Sequence, residues 1–410
     1  MKYKWTKGVK ACFLIFMACS MMLSVSVYAV ERVNPSENQS GIYTVAGNSE
    51  GVPTILGESA IVVDVKTGYT LYEKDIYAKH YPASITKIMT ALLTLEQADL
   101  SETVTFSHQA VFSVEAGSSV AYVDEDEQLT VEQCLYGLLL ISGNDLANGL
   151  AEHVGGTMSN FAVMMTDRAK AIGCVNTNFT NAHGLHDENH YTCAYDMAKI
   201  ALEAYDTQEK FMEICSTLTY SCPPTNKQSE TRVWRNNNRF INPYEEAYYE
   251  DCIGGKTGYT NEAGGTLVTY ANIDGRILMC VIMKSTNSAG AYADTTALYE
   301  YIRSNVTADM YKKLDEQYQK LVEDETKPQE NATVQPSTEK SDANKESVAS
   351  TAATANGEDE SDGLWIGWKI LILLVTIFII YYVYVRYMRY QRMKRRREKR
   401  MRDRRQQERR

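Results

Sequence analysis

Strand-like stretches stand on both sides of a helical block in this chain, and that order leaves few folds open. Ser59 to Val65 alternates as a strand does, Lys66-Thr67-Gly68 supplies a turn, and Tyr69 to Tyr72 returns. Apart from a short strand at Thr103 to Phe106, strand character comes back only later. It reappears at Ile253 to Thr260, Gly265 to Asn272 and Arg276 to Lys284, with Asp274-Gly275 as a hairpin turn. Between the two groups the apolar residues fall at helical spacing. Thr130-x-x-Gln133 reads as a capping box that opens a helix through Ile141, with Val131, Leu135, Leu138 and Leu139 buried. Ser142-Gly143-Asn144 interrupts it, and helix resumes from Asp145 to His153. Asn160 to Ile172 and Ala194 to Ala204 follow as helices, and Asp294 to Arg303 closes the domain. Early and late strands can share hydrogen bonds only if both ends build one sheet. The expected class is α/β in the α+β sense: an antiparallel sheet from both chain ends with a helical subdomain inserted, over 57–305.

The flanks read differently. Four lysines precede an apolar run from Ala11 to Val30, which makes 1–29 a secretory signal cut after Ala29. A lipoprotein cut before Cys19 and an uncleaved anchor are the alternatives. Residues 30–56 are polar and irregular. Residues 306–322 form a charged amphipathic helix with Met310, Leu314 and Leu321 on one side. Residues 323–362 are rich in Glu, Ser, Thr, Asn and Ala and lack aromatics, so a disordered linker is expected. A flexible chain of that length spans roughly 35 Å. Leu364 to Val385 is a 22-residue apolar run whose one charge, Lys369, lies near an end. With Trp365, Trp368, Tyr381, Tyr382 and Tyr384 suited to the interfaces, it reads as a transmembrane helix. The tail, 386–410, holds 14 Lys/Arg against 3 Asp/Glu. By the positive-inside rule it is cytoplasmic and grips anionic lipid, and the body faces outward. A cytoplasmic partner or an RNA contact is the other reading of that tail. The whole chain carries −10, the tail +11 and residues 1–29 +4, so the middle carries −25. Such an acidic body offers no footprint for nucleic acid.

Seven cysteines lie beyond the signal: Cys134, Cys174, Cys193, Cys215, Cys222, Cys252 and Cys280. The odd count and the lack of C-x-x-C argue against a disulfide framework, with Cys215 and Cys222 as the one candidate pair. His183, His186 and His190 with Asp187 and Glu188 have a spacing that a metal site on a helix could use, but Gly184 argues for a loop. No metal and no cofactor are expected.

Three short motifs stand in order: Ser84-x-x-Lys87, Ser142-Gly143-Asn144 and Lys256-Thr257-Gly258. Ser84 and Lys87, three apart on a helix that Pro82 introduces, put a hydroxyl and an amine on one face. A serine becomes a nucleophile when a neighbouring lysine has its pKa pulled down. Singly the motifs are cheap, since S-x-x-K and S-x-N should each arise about once by accident in a chain this long. Ser337-x-x-Lys340, Ser36-x-Asn38, Ser285-x-Asn287 and a second Lys-Thr-Gly at 66–68 are such accidents. Context separates them. Ser84 follows Pro-Ala at a helix start, Ser142 sits in a helix break, and Lys256 lies in Gly254-Gly255-Lys256-Thr257-Gly258.

On these residues the stretch from about Ser59 to Arg303 resembles the serine D-alanyl-D-alanine carboxypeptidases, the low-molecular-weight penicillin-binding proteins of peptidase family S11. Pro82-Ala83-Ser84-x-Thr86-Lys87-Ile88-Met89-Thr90, Ser142-Gly143-Asn144-Asp145 and Asn181-Ala182-His183-Gly184-Leu185 carry the resemblance beside the Lys-Thr-Gly. It implies the fold shared by DD-peptidases and β-lactamases. It implies Ser84 as acyl-ester nucleophile, Lys87 as general base and Ser142 as proton relay. It implies Asn144, Lys256, Thr257 and Gly258 as substrate-binding residues and the backbone N–H groups of Ser84 and Tyr259 as the oxyanion hole. Stem peptides of peptidoglycan and β-lactam antibiotics are the implied ligands. Family members commonly carry a β-rich domain after the catalytic one, and residues 304–362 are too short and too polar for it. A β-lactamase and a D,D-endopeptidase share the same site. No Glu-x-x-Leu-Asn lies between Ser142 and Lys256 to supply the β-lactamase's base. A catalytically idle peptidoglycan sensor is the reading of a different class, and the intact Ser84, Lys87, Ser142 and Lys256 set argues against it.

Overall fold

The computed structural model describes residues 51–326. The expectations for the signal, most of the lead segment, most of the linker, the apolar span and the basic tail lie outside these residues; the first four residues expected in the linker, 323–326, are helical. Among the described residues no helix is long and apolar enough to cross a membrane.

The first elements among the described residues form a hairpin, β1 (Ser59–Asp64) and β2 (Thr70–Lys74). A 3-10 turn, Ala83–Thr86, leads into α1 (Lys87–Gln97). The helical block then runs through β3 (Thr103–Thr105), α2 (His108–Phe112), β4 (Gln128–Thr130), α3 (Val131–Leu140), α4 (Asn144–Gly155), α5 (Met158–Ala171), α6 (Ala194–Thr207) and α7 (Glu209–Cys215). A second hairpin, β5 (Thr219–Cys222) with β6 (Arg232–Arg235), precedes a 3-10 turn at Arg239–Ile241. The last described elements are β7 (Cys252–Thr260), β8 (Gly264–Ile273), β9 (Arg276–Ser285), α8 (Ser288–Asn305) and α9 (Ala308–Thr326).

Both ends meet in one antiparallel sheet of order β2-β1-β9-β8-β7. Every residue of β1 is buried, because it is an inner strand with both faces covered. Alternate side chains divide between two cores. Ile61, Val63, Val268 and Val281 face the helical block with Ile88, Leu92, Met197 and Ile200. Ala60, Val62, Leu267 and Ile282 face α8 and α9 with Leu298, Tyr299, Ile302 and Leu314. Two tyrosines tie the layers through buried hydroxyls: Tyr270 donates to the Ala201 carbonyl at 2.7 Å, and Tyr299 to the Thr269 carbonyl at 2.9 Å. In this strand order β7 lies at one edge of the sheet, paired on one side with β8.

The helical block follows its caps. The Thr130 hydroxyl accepts from the Gln133 N–H, and the Gln133 side chain accepts from the Thr130 N–H, so the expected capping box forms. Several expectations need correction. The closing helix begins at Ser288, because the Asn287 side chain caps the Gly290 N–H at 2.9 Å and the small residues after it carry no apolar period. Of the three apolar residues expected on one side of α9, Leu314 is fully buried but Leu321 is exposed, because the helix outruns the core that covers its first half. Cys215 and Cys222 do not pair, and all seven described cysteines are free. Cys215 ends α7 under Gly254, whereas extended β5 carries Cys222 to the neighbourhood of Cys134. The second Lys-Thr-Gly is the β1–β2 turn, where the Thr67 hydroxyl donates to the buried Asp64 carboxylate.

Candidate active site

Three elements converge on Ser84. The first is the 3-10 turn that carries it. Ser84 does not lie in an α-helix; α1 starts at Lys87. Ala83 sits at φ +50, a conformation costly for a residue with a Cβ, and the surroundings enforce it. The Thr266 hydroxyl of β8 donates to the Pro82 carbonyl at 2.8 Å. Gly184, at φ +88, lies so close to Ala83 that a Cβ there would overlap the Ala83 carbonyl oxygen and stand 2.5 Å from its carbon. Gly258 of β7 lies on the other side, where a Cβ would come within 2.8 Å of the Ser84 nitrogen and 3.1 Å of the Ile85 nitrogen. Two glycines therefore clamp the turn, and the edge strand passes directly over the Ser84 N–H.

The second element is Lys87, which is fully buried. Its Nζ stands 3.0 Å from Ser84 Oγ, 2.7 Å from Asn144 Oδ1 and 2.6 Å from the His183 carbonyl. Burial holds this amine well below the usual lysine range. The Lys256 cation lowers it further, and Asp145 pulls weakly the other way. The neutral form fits the geometry. A neutral amine has two hydrogens and one lone pair. The Asn144 and His183 oxygens can only accept, and they use both hydrogens. The lone pair remains for the Ser84 hydroxyl.

The third element joins Ser142 to Lys256. Ser142 sits at φ +64 in the break between α3 and α4 and is 5% exposed, so its hydroxyl is presented without much water around it. Lys256 Nζ lies 3.2 Å from Ser142 Oγ and donates to the Thr257 carbonyl at 2.8 Å. Burial pushes Lys256 down to about 7. Thr257 is half-buried and Tyr259 is 51% exposed, both on the free edge of the sheet. An edge strand of this kind can accept an extended peptide as an added strand.

Hydrogen bonds join Ser84, Lys87 and Asn144 and join Ser142 to Lys256, Gly258 lies over Ser84, and Thr257 and Tyr259 flank Gly258 on β7. Sequence reasoning missed the residues that hold that centre. Asp145 is buried, and its carboxylate accepts from the Ala121 N–H at 2.9 Å and the Val123 N–H at 3.3 Å. This pins the 118–123 loop, whose Ser119 carbonyl accepts from the Asn144 N–H at 2.8 Å. Its place directly after Ser-Gly-Asn was the available signal. The histidines serve the turn. His190 Nδ1 accepts from the Thr180 N–H at 3.0 Å, so Nε2 carries the proton and donates to Thr86 Oγ1 at 2.9 Å. The His183 ring accepts from the Leu185 N–H at 3.1 Å, and His186 packs edge-on against Tyr81. Among the described residues no group of three or more His, Cys, Asp or Glu side chains could hold a metal ion.

Comparison with known proteins agrees with this geometry. The peptidase S11 family, described as D-alanyl-D-alanine carboxypeptidase, matches residues 46–287. The D-alanyl-D-alanine carboxypeptidase DacF of Bacillus subtilis is 33% identical over 265 residues, covering 62% of this chain and 64% of that protein. The match therefore spans a little under two thirds of that relative's length. The D-alanyl-D-alanine carboxypeptidase of Streptomyces strain K15 is 30% identical over 261 residues, covering 61% of this chain and 88% of that one. The crystal structure of the Streptomyces K15 DD-transpeptidase superposes with a TM-score of 0.56 at 30% identity, covering 61% of this chain and 97% of that one. With more than half its length matched, this chain belongs to the peptidase S11 family.

Proposed function

We propose that this protein is a membrane-anchored serine D-alanyl-D-alanine carboxypeptidase that removes the terminal D-Ala from peptidoglycan stem pentapeptides. One observation carries the reading: a fully buried, charge-depressed Lys87 amine, its hydrogens held by two acceptors, stands 3.0 Å from Ser84 Oγ. Ser84 gives its proton to Lys87 and attacks the carbonyl of the penultimate D-Ala. The oxyanion settles between the N–H groups of Ser84 and Tyr259, donors worth about 3 kcal/mol each in such sites. Ser142, bridged to Lys256, passes a proton to the departing amine. The terminal carboxylate lies at Thr257, beside Lys256. Water then cleaves the ester. Penicillins place a reactive carbonyl at the same point and leave Ser84 acylated.

Transfer of the acyl group to an amine instead of water is the second reading, supported by the similarity to the Streptomyces K15 DD-transpeptidase. The anchoring rests on the apolar run 364–385 and its basic flank, and export on 1–29. The body then works at the outer face of the membrane, with the tail in the cytoplasm against anionic lipid. The test incubates the protein with a labelled penicillin and with a pentapeptide ending in D-Ala-D-Ala. A stable adduct and released D-Ala, both lost in Ser84→Ala, support the reading. Rapid penicillin turnover marks a β-lactamase instead, and neither adduct nor release ends the enzymatic reading.

A further inference from the structure

Hydrolysis asks more of the site than acylation does. Once Ser84 Oγ is held in an ester, a water molecule must be fixed at that carbonyl while a base takes its proton. Lys87 can serve as that base, because its lone pair still faces the Ser84 oxygen. The water needs a second partner to orient it. Among the described residues no carboxylate bonds to Ser84 or Lys87, so an acid does not fill that place.

His183 offers a partner. Its carbonyl accepts from Lys87 Nζ at 2.6 Å, so its side chain starts beside the base. The backbone around it is fixed. The Thr90 hydroxyl donates to the Ala182 carbonyl at 2.6 Å, and Asn181 Oδ1 accepts from the Gly184 N–H at 2.7 Å. The Asn181 amide donates to the Leu185 carbonyl at 3.1 Å. Lys87 and Thr90 both belong to α1, so one helix sets the position of the base and of this loop. The ring is fixed too. Nδ1 accepts from the Leu185 N–H at 3.1 Å, which leaves the proton on Nε2. Burial, and then the Lys87 charge, push the ring down to about 3, so near neutral pH it keeps that single proton. No group among the described residues accepts from Nε2, and the residue is half-buried rather than sealed off. A role in the turn accounts for Nδ1 and gives Nε2 nothing to do. A preorganised donor thus stands unused beside the base.

We propose that His183 positions the hydrolytic water, its Nε2–H donating to the water oxygen while Lys87 accepts the water's proton. The inference rests on the Ser84 reading above and concerns its second half. The water oxygen bonds to the ester carbon, and one water proton passes to Lys87 Nζ. The bond from that carbon to Ser84 Oγ breaks, and Lys87 returns the proton to Oγ. The product leaves as a carboxylic acid and ionises in solvent. His183 exchanges no proton. Acylation does not need it, because there the nucleophile is already bonded to the chain.

Two substitutions separate the two ring nitrogens. His183→Asn keeps an acceptor for the Leu185 N–H and removes the distal donor. His183→Gln carries an N–H out to the distal position. The full-length protein and each variant are labelled with penicillin, freed of excess reagent, and followed for loss of the adduct in buffer alone and with hydroxylamine. Release of D-Ala from a pentapeptide ending in D-Ala-D-Ala gives kcat/KM, which reports acylation. In His183→Asn the labelling rate and kcat/KM should hold. Its adduct should last about tenfold longer in buffer, the size of one lost hydrogen bond. Hydroxylamine, which replaces the water, should clear that adduct at the wild-type rate. His183→Gln should recover part of the loss. A His183→Asn adduct that decays as fast as the wild type's overturns the inference, and the ring then serves the turn alone. Equal slowing of labelling and decay overturns it as well, and so does equal slowing with water and hydroxylamine, because the ring then orients the ester. A wild type that neither takes up penicillin nor releases D-Ala removes the Ser84 reading and the inference with it.

Discussion

Gly184 offers the sharpest test of how the nucleophile is held, because the fold contains its own control. Gly184 and Gly275 share the same backbone angle, φ +88. At Gly275 a Cβ would meet nothing within 4 Å, whereas at Gly184 it would collide with the backbone of Ala83, one residue before Ser84. Gly275→Ala therefore measures the cost of the left-handed conformation alone, about 1–2 kcal/mol. Gly184→Ala adds an overlap that no side-chain rotation relieves, since the obstacle is a carbonyl. Overpacking of this kind costs about 1–3 kcal/mol more. The turn can yield only by moving, yet Thr266 and Gly258 hold its other sides. A displacement of about 1 Å at a reacting group costs on the order of a hundredfold in rate. Urea denaturation should place Gly184→Ala below Gly275→Ala by about 2 kcal/mol. The second-order rate of penicillin labelling should fall about a hundredfold in Gly184→Ala and hold in Gly275→Ala. If both variants label at the wild-type rate, the clamp described here does not position Ser84.

Four further outcomes follow from the same coordinates. Lys256→Gln removes a cation that lowers Lys87, so Lys87 regains basicity and the acid limb of the labelling rate against pH should move to higher pH; a limb that stays in place refutes the coupling. Asp145→Ala leaves the buried N–H groups of Ala121 and Val123 without their acceptor. Stability should drop by about 2–4 kcal/mol in urea denaturation, with slower labelling as the loop under Asn144 loosens. His190 is buried and neutral: burial pushes its pKa down to about 4, with the Asp187 charge opposing and the Lys87 charge adding to the fall. The unfolded chain binds a second ring proton from about pH 6.5 downward and the folded one does not, so stability falls by about 1.4 kcal/mol per pH unit between 6.5 and about 4. His190→Gln should flatten that slope. Arg276→Ala takes the guanidinium from the buried Asp64 carboxylate, leaving it the Thr67 hydroxyl, and leaves Asp315 of α9 with Lys66, which should cost about 3 kcal/mol in the same assay.

What the sequence shows and what it hides divide along physical lines. The sheet from two chain ends was legible because β1, β8 and β9 carry near-continuous apolar runs, with Asp274-Gly275 turning β8 into β9. The β5–β6 hairpin was not. Its strands have four residues each, their exposure follows no clean alternation, and the connection is no tight turn. Helix α7 was missed for a like reason, having seven residues and only Phe211, Ile214 and Cys215 buried. At the site, the motif residues could be named from order and context, since Ser84 follows Pro-Ala, Ser142 sits in a helix break and Lys256 lies among glycines. The state of Lys87 could not. It depends on full burial, on the Lys256 charge from 169 positions away in the chain, and on two acceptors, one of them a backbone carbonyl that has no letter in the sequence. Residues that react announce themselves by type and spacing. Residues that set protonation act through the distance the fold brings them across, and that distance is not written along the chain.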